Sequence, residues 1–131
     1  MKVLQPPGWP RPKGYSNGIA ASGRTVYTAG VIGWDEDERL VSDGLPGQFE
    51  QVLRNTLAIL AEAGAGPEHV VRMTWYVTDG DDYVSNLREI GACWRAHMGA
   101  HYPAMAVVVV SGLVETGAKI EIETIAVVPE E

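Results

Sequence analysis

The chain has one cysteine, Cys93, and one phenylalanine, Phe49, among 131 residues. A single thiol cannot form an intrachain disulfide, which excludes a disulfide-stapled scaffold and fits a reducing compartment. Basic residues are also scarce. Ten Lys and Arg against 17 Asp and Glu give a net charge of −7, so the molecule as a whole repels nucleic acid and anionic membrane. The imbalance is uneven: residues 1–34 carry Lys2, Arg11, Lys13 and Arg24 and no acid, a segment suited to an acidic surface or a small anion. Long apolar runs are missing too, since the longest, Ala104–Val110, falls far short of the roughly 20 residues that span a bilayer. Near the N-terminus, Val3 and Leu4 run into Pro6, Pro7 and Pro10, which does not read as a secretory signal. The expectation is a soluble cytoplasmic protein with no nucleic-acid or membrane partner. Its length predicts one domain over residues 1–131, and its 46% hydrophobic content is enough for a core that needs neither disulfide nor metal.

Four of the eight prolines fall within residues 5–14, where they block helix and central strand, so residues 1–13 read as an extended arm. The short apolar segments Ile19–Ala21 and Thr25–Val31, separated by Ser22-Gly23-Arg24, predict a β-hairpin. Beyond a polar loop, Phe49, Val52, Leu53, Leu57, Leu60 and Ala61 recur at helical spacing, with Gly64 and Gly66 as stop signals. Val70–Thr78 alternates, with Val71, Met73, Trp75 and Val77 on one face of a strand. Asp81 or Asp82 can cap a second helix with the stripe Tyr83, Leu87, Ile90, Trp94, His97, closed by Gly99. The strands Ala104–Val110 and Ala118–Val128 complete a ββαβαββ α+β domain with two helices on one face of a mixed sheet. Met105–Val110 is apolar at every position, the pattern of a strand buried on both sides. Two helices cover only one face, so self-association through the open face is expected.

Several chemical signals fail on spacing. In Asp79-Gly80-Asp81-Asp82 and Asp35-Glu36-Asp37-Glu38, the twelfth position of a calcium loop would be Ile90 or Pro46, not the Glu it requires. Gly64-Ala65-Gly66 follows a helix, whereas a phosphate cradle precedes one. His97 and His101 have the i, i+4 spacing of a helical metal pair, but Gly99 and Pro103 bracket the helix end and no third ligand lies near in sequence. No metal site is predicted. Cys93 has no base beside it in sequence and reads as a packing thiol. Trp75 and Trp94 fall on core faces, while Trp9 and Trp34 fall in loops. Glu121 and Glu123 share one strand face about 6.8 Å apart. Such carboxylates, partly buried at an interface, suit base chemistry, and they equally suit an ion pair with Lys119.

The order and spacing of six separated blocks then become informative. They are Gly14-Tyr15-Ser16-Asn17, Val26-Tyr27-Thr28-Ala29-Gly30, Gln51 and Asn55 with Ala61-Glu62-Ala63-Gly64-Ala65, Val70–Asp79, Pro103-Ala104, and Lys119-Ile120-Glu121-Ile122-Glu123. Over about residues 14–128 the chain resembles the Rid family, the YjgF-like reactive-intermediate deaminases. The resemblance implies a chorismate-mutase-like α+β fold and a homotrimer that binds small molecules in clefts between subunits. It also implies hydrolysis of enamines and imines such as 2-aminoacrylate, without a cofactor. By position, the pocket tyrosine falls on Tyr15, the glycine whose amide meets the ligand on Gly30, and the water-activating glutamate on Glu121. The archetypal Pro-Ala-Arg, whose arginine clamps the substrate carboxylate, here reads Pro103-Ala104-Met105, and the pocket cysteine falls on Val107. Met105, Ala106 and Val107 are expected on a more apolar pocket wall.

A bidentate Arg–carboxylate pair comprises two charge-assisted hydrogen bonds of about 1.5–3 kcal/mol each, and a thioether supplies neither. The expected activity is therefore binding, with hydrolysis of a neutral or less acidic imine, enamine or related nitrogen compound. A non-catalytic small-molecule sensor is the alternative. Endoribonuclease or translation-inhibitor activity, an older label for relatives, is disfavoured by the charge and by the lack of a basic stripe interleaved with aromatics. Arg72, Arg24 and Lys119 are the candidate substitute cations.

Overall fold

The computed structural model describes residues 1–130. Ten regular elements follow one another: β1 (Lys2–Leu4), β2 (Gly18–Ala20), β3 (Arg24–Tyr27), β4 (Val31–Ile32), α1 (Leu45–Glu62), β5 (Val70–Val77), α2 (Gly80–Ser85), α3 (Leu87–Met98), β6 (Ala104–Val109) and β7 (Ile120–Val128), with one 3-10 turn before β5. The main sheet is mixed, in the order β3-β7-β5-β6, and β4 also pairs with β7. Only β5 and β6 run parallel, and α1 and α3 cover one face. The α+β architecture expected from the sequence is the one observed.

The predicted hairpin does not form. β2 pairs antiparallel with β1, Lys2 opposite Ala20, whereas β3 pairs with β7, Arg24 opposite Val128. Gly23, at φ +144°, turns the chain from one sheet to the other, and its Cα lies against the Val128 carbonyl, where a side chain has no room. The nine-residue β7 offers one edge to β3 and β4 and the other to β5, so this long-range pairing replaces the local one. The N-terminal segment is also less free than its prolines suggest: Lys2–Leu4 is a strand, and Gln5 Nε2 donates to the Trp9 carbonyl at 3.0 Å.

The second helix is two helices. Asn86 ends α2 at φ −108°, ψ 12°, and its amide donates back to the Asp82 carbonyl at 2.8 Å. The side chain that caps α2 belongs to Asp79, which accepts from Asp82 N–H at 3.1 Å, rather than to Asp81 or Asp82. A β-bulge between Val70 and Arg72 shifts the alternation of β5. The buried face is therefore Val70, Met73, Trp75 and Val77, with Val71 only half-buried. Gly64 and Gly99 adopt positive φ at the ends of α1 and α3, as expected of helix stops.

The core lies between the sheet and the helices. Phe49, Val52, Leu53 and Leu60 of α1 and Ile90, Trp94 and Met98 of α3 meet Met73, Trp75, Ile120 and Ile122. β6 is not buried on both sides within one chain. It is the edge strand, and Val108 and Val109 remain 39% and 63% exposed. Tyr27, on the far side of the sheet from the helices, is 72% exposed. Among the described residues no helix is long and apolar enough to cross a membrane.

Gln48, fully buried in α1, fixes the start of β7. Its Nε2 donates to the Ser42 and Gly117 carbonyls at 3.0 and 2.9 Å, and its Oε1 accepts from Lys119 N–H at 2.7 Å. Gln48→Leu keeps the volume but leaves three backbone groups without that partner, each costing about 1–3 kcal/mol where water cannot enter. Chemical denaturation is expected to show a loss of at least about 2 kcal/mol, and a loss below about 0.5 kcal/mol would mean that water replaces the amide.

Candidate functional site

Two separate concavities gather the residues of interest. The first is a cavity of about 480 Å³ bounded by Tyr15, Trp75, Tyr83, Trp94, Tyr102 and Met105. Register explains why Met105 and Val107 both line it. They stand opposite Met73 and Trp75 of β5, which are buried toward the helices, and alternate residues of a strand share a face. Ala106, opposite Thr74, points to the other side. Tyr15 reaches the cavity because Ser16 ties the preceding segment to the start of β6. Ser16 N–H donates to the Pro103 carbonyl at 3.0 Å, and its hydroxyl donates to the Tyr102 carbonyl at 2.5 Å.

The floor of this cavity is aromatic. The Trp75 ring lies 4.9 Å from Phe49 and 5.9 Å from Trp94, and Trp94 stacks on Tyr102 at 6.1 Å. Trp94 Nε1 donates to the His101 carbonyl, so its polar atom is satisfied while its faces stay apolar. Burial pushes the Tyr83 hydroxyl above its ordinary pKa, which keeps it a neutral hydrogen-bonding group. Charge enters only at the rim, from Lys13 and Arg95. Gly91 leaves room for the Arg95 guanidinium, since a Cβ there would lie 3.3 Å from its Nη1.

The second concavity, about 720 Å³, holds Gly30 and Glu121 with Trp34, Gln51, Asn55 and Val114. β4 aligns Ile32 with Glu121, which brings the residue just before the strand against that side chain. A Cβ on Gly30 would overlap the Glu121 carboxylate, so a larger residue there would displace the carboxylate from this position. Asn55 Nδ2 donates to the carbonyls of Ile32 and Trp34 at 3.2 and 2.8 Å, and its Oδ1 accepts from Gln51 Nε2 at 2.8 Å. These bonds hold the Gly30–Trp34 segment against α1. Glu123 stands apart and exposed, accepting from the Tyr76 hydroxyl at 2.7 Å, a bond that raises the Tyr76 pKa.

Within one chain, Tyr15, Met105 and Val107 come together, and Gly30 and Glu121 come together, but the two groups do not meet and Ala106 joins neither. The candidate substitute cations are elsewhere: Arg24 donates to the Ala63 carbonyl at 2.7 Å, and neither Arg72 nor Lys119 bounds the cavity beside Met105. Lys13 and Arg95 do bound it; Lys13 belongs to the basic N-terminal segment that the sequence marks as suited to a small anion, whereas Arg95 stands in no motif. Cys93 has unexpected neighbours in Glu50 and His97. Burial, reinforced by the Glu50 charge, pushes its thiol up to about 11, so the free side chain is a protonated thiol at neutral pH. His97 and His101 do not pair, because His101 Nε2 donates to the Val70 carbonyl at 2.6 Å.

Comparison with known proteins gives the family of the chain. Residues 10–128 match the family model described as Endoribonuclease L-PSP. The chain belongs to the Rid (YjgF-like) family. Among its Rid relatives, a RutC family protein of Synechocystis is 35% identical, with 98% of each chain covered. The 2-iminobutanoate/2-iminopropanoate deaminase of Homo sapiens is 33% identical over 86% of this chain and 79% of the human one. The crystal structure of a Rid-family protein from Yersinia pestis, described as of unknown function, superposes with a TM-score of 0.85 at 32% identity, covering 97% of this chain and 98% of that one. The strand-edge cavity and the Gly30–Glu121 cleft thus lie in a chain with the Rid fold.

Proposed function

We propose that this Rid protein hydrolyses a small imine or enamine, carrying an apolar or aromatic group, at a site completed between subunits. The observation that carries the reading is the contact between Gly30 and the Glu121 carboxylate in an open cleft. A backbone amide next to a carboxylate can hold a polar ligand atom while the carboxylate takes a proton from water. Water adds to the C=N carbon while Glu121 takes one of its protons and passes it to nitrogen, giving a carbinolamine. Glu121 then moves the hydroxyl proton to the amine nitrogen, the C–N bond breaks, ammonia leaves, and a carbonyl compound remains. An enamine first takes a proton at carbon to become the imine. The human relative's name, a deaminase of 2-imino acids, supports this reaction class.

The substrate class follows from the first cavity. Met105 and Val107 present apolar atoms, the aromatic rings favour planar or apolar groups, and positive charge is confined to Lys13 and Arg95 at the rim. The edge strand β6 carries these residues, and a neighbouring copy that docks this edge against the Gly30–Glu121 face would unite the two halves. A homotrimer accounts for that union and for the exposed apolar residues Tyr27, Val108 and Val109. No step requires a cofactor.

The protein is therefore expected to sediment at three times 14.1 kDa at micromolar concentration and to release ammonia from members of an enamine panel with apolar side groups. A stable monomer would remove the shared site. A trimer that binds panel compounds without releasing ammonia would favour a sensor, a reading that the missing guanidinium at residue 105 supports. The net charge of −7 opposes an endoribonuclease, and tight salt-dependent RNA binding would reverse that conclusion.

A further inference from the structure

Away from both concavities, the seam between α1 and α3 brings together three side chains of metal-binding chemistry. Cys93 and His97 lie one turn apart on α3, and Glu50 faces them from α1. Their ligand atoms all lie within 4.8 Å of one another. His97 Nε2 and Glu50 Oε2 are 3.3 Å apart although the residues are separated by 47 positions in sequence. We propose that Glu50, Cys93 and His97 form a binding site for a zinc-class divalent cation that staples α1 to α3, with water as its fourth ligand.

The spacing fits. Zn–N and Zn–O bonds of about 2.0–2.1 Å at a tetrahedral angle place the N and O atoms about 3.3–3.4 Å apart, so the histidine and the glutamate already stand as neighbouring corners of the polyhedron. The Cys93 sulfur lies within 4.8 Å of both atoms. Zn–S and Zn–N bonds of about 2.3 and 2.0 Å at a tetrahedral angle set about 3.5 Å, so a shift of about 1 Å brings it to the third corner. A thiol, an imidazole and a carboxylate form a mixed S, N, O donor set. Calcium and magnesium prefer all-oxygen sites, whereas zinc accepts this one.

The surroundings support the assignment. The His97 and Glu50 side chains are 19% and 49% exposed, which leaves an entry path and room for water. Arg54 Nη2 lies 3.6 Å from Glu50 Oε1, the oxygen that does not face His97. The arginine can therefore orient the carboxylate while Oε2 binds the cation, as outer-sphere partners of metal ligands do. On binding, the Cys93 S–H bond breaks, the proton passes to solvent and the sulfur bonds the metal. The ordinary alternative, a His–Glu hydrogen bond beside an uninvolved thiol, makes no use of Cys93, and that difference makes the site testable.

None of the three residues bounds either concavity, so the proposal stands independently of the imine reading and needs no enzyme assay. Chelator-treated full-length protein is titrated with Co²⁺ and then with Zn²⁺. One equivalent of cobalt per chain is expected to give a thiolate-to-cobalt charge-transfer band together with visible bands of tetrahedral intensity, and zinc is expected to abolish both. Cys93→Ser is expected to lose the charge-transfer band. His97→Gln and Glu50→Gln should each weaken zinc binding at least about tenfold. Zinc at about a hundredfold excess over its Kd should raise the unfolding midpoint by about 5–15 °C in the wild type, and much less in the variants. A wild-type protein without the charge-transfer band overturns the proposal whatever the variants do. So does unchanged zinc affinity in folded His97→Gln and Glu50→Gln, which would reduce the site to a lone thiol.

Discussion

Glu121→Gln is expected to lower turnover about 10²–10⁴-fold on any imine or enamine that the wild type hydrolyses, with assembly and fold intact. The substitution is nearly isosteric, so it keeps the packing of the side chain against Gly30 and removes only the capacity to take a proton. Ligand binding should change far less than kcat, because the Gly30 amide and the apolar wall still contact the bound molecule. A loss confined to kcat identifies a group that acts in the transition state. Equal activity in wild type and Glu121→Gln, both trimeric, would make Glu121 a polar interface residue and end its role as the base.

That expectation rests on a residue legible from sequence, and the reason is physical. The alternation Ile120, Ile122, Thr124, Ala126 puts one face of β7 into the core, which leaves Glu121 on the other face whatever the rest of the fold does. The α1 stripe and the glycine stops of both long helices were legible for a similar reason, since periodicity and positive φ are local properties. Strand pairing is not local. The proximity of Ile19–Ala21 and Thr25–Val31 suggested a hairpin, yet each segment found a partner far away in the chain, β1 or β7. The bulge at Val71 was equally hidden, because Val70 and Val71 are alike and either could begin the buried face.

The site divides along the same line. The resemblance to the Rid family pointed to Tyr15, Gly30, Met105, Ala106, Val107 and Glu121, and alternation gave the face of Glu121, but nothing local gave the faces of the others. Only the β5–β6 and β5–β7 registers show that Met105 and Val107 face the helices while Glu121 stands opposite Tyr76 on the other face. The rim cations Lys13 and Arg95 come from the arm and from α3. Glu50 meets Cys93 and His97 only because α1 packs on α3, and the Cys-x-x-x-His spacing on one helix was the partial signal available. Long-range packing created these constellations, and the sequence held only their separate halves.

Met105→Arg tests the residue that sets this chain apart from the archetypal pattern. Wild type is expected to be nearly inactive on 2-aminoacrylate and to bind small 2-keto acids weakly. The variant is expected to bind a 2-keto acid such as pyruvate at least about a hundredfold more tightly. A bidentate guanidinium–carboxylate pair comprises two hydrogen bonds of about 1.5–3 kcal/mol each, and a net gain of about 3 kcal/mol is roughly that factor. The backbone is ready for the change, because Met105 already faces the cavity with Val107 two residues on and Tyr15 at its mouth. Two costs oppose it: arginine is longer than methionine, and Lys13 and Arg95 line the same cavity, so the new cation meets like charge until an anion arrives. Thermal unfolding and sedimentation of the variant separate this cost from a failed gain. Met105→Gln, polar but uncharged, should leave affinity within about threefold of wild type, since a neutral amide supplies no charge-assisted pair. A folded Met105→Arg trimer that neither binds pyruvate more tightly nor speeds imine hydrolysis would show that the cavity has diverged beyond one residue. Efficient wild-type turnover of 2-aminoacrylate would mean that Lys13 or Arg95 already holds the carboxylate, and that Met105 does not determine specificity.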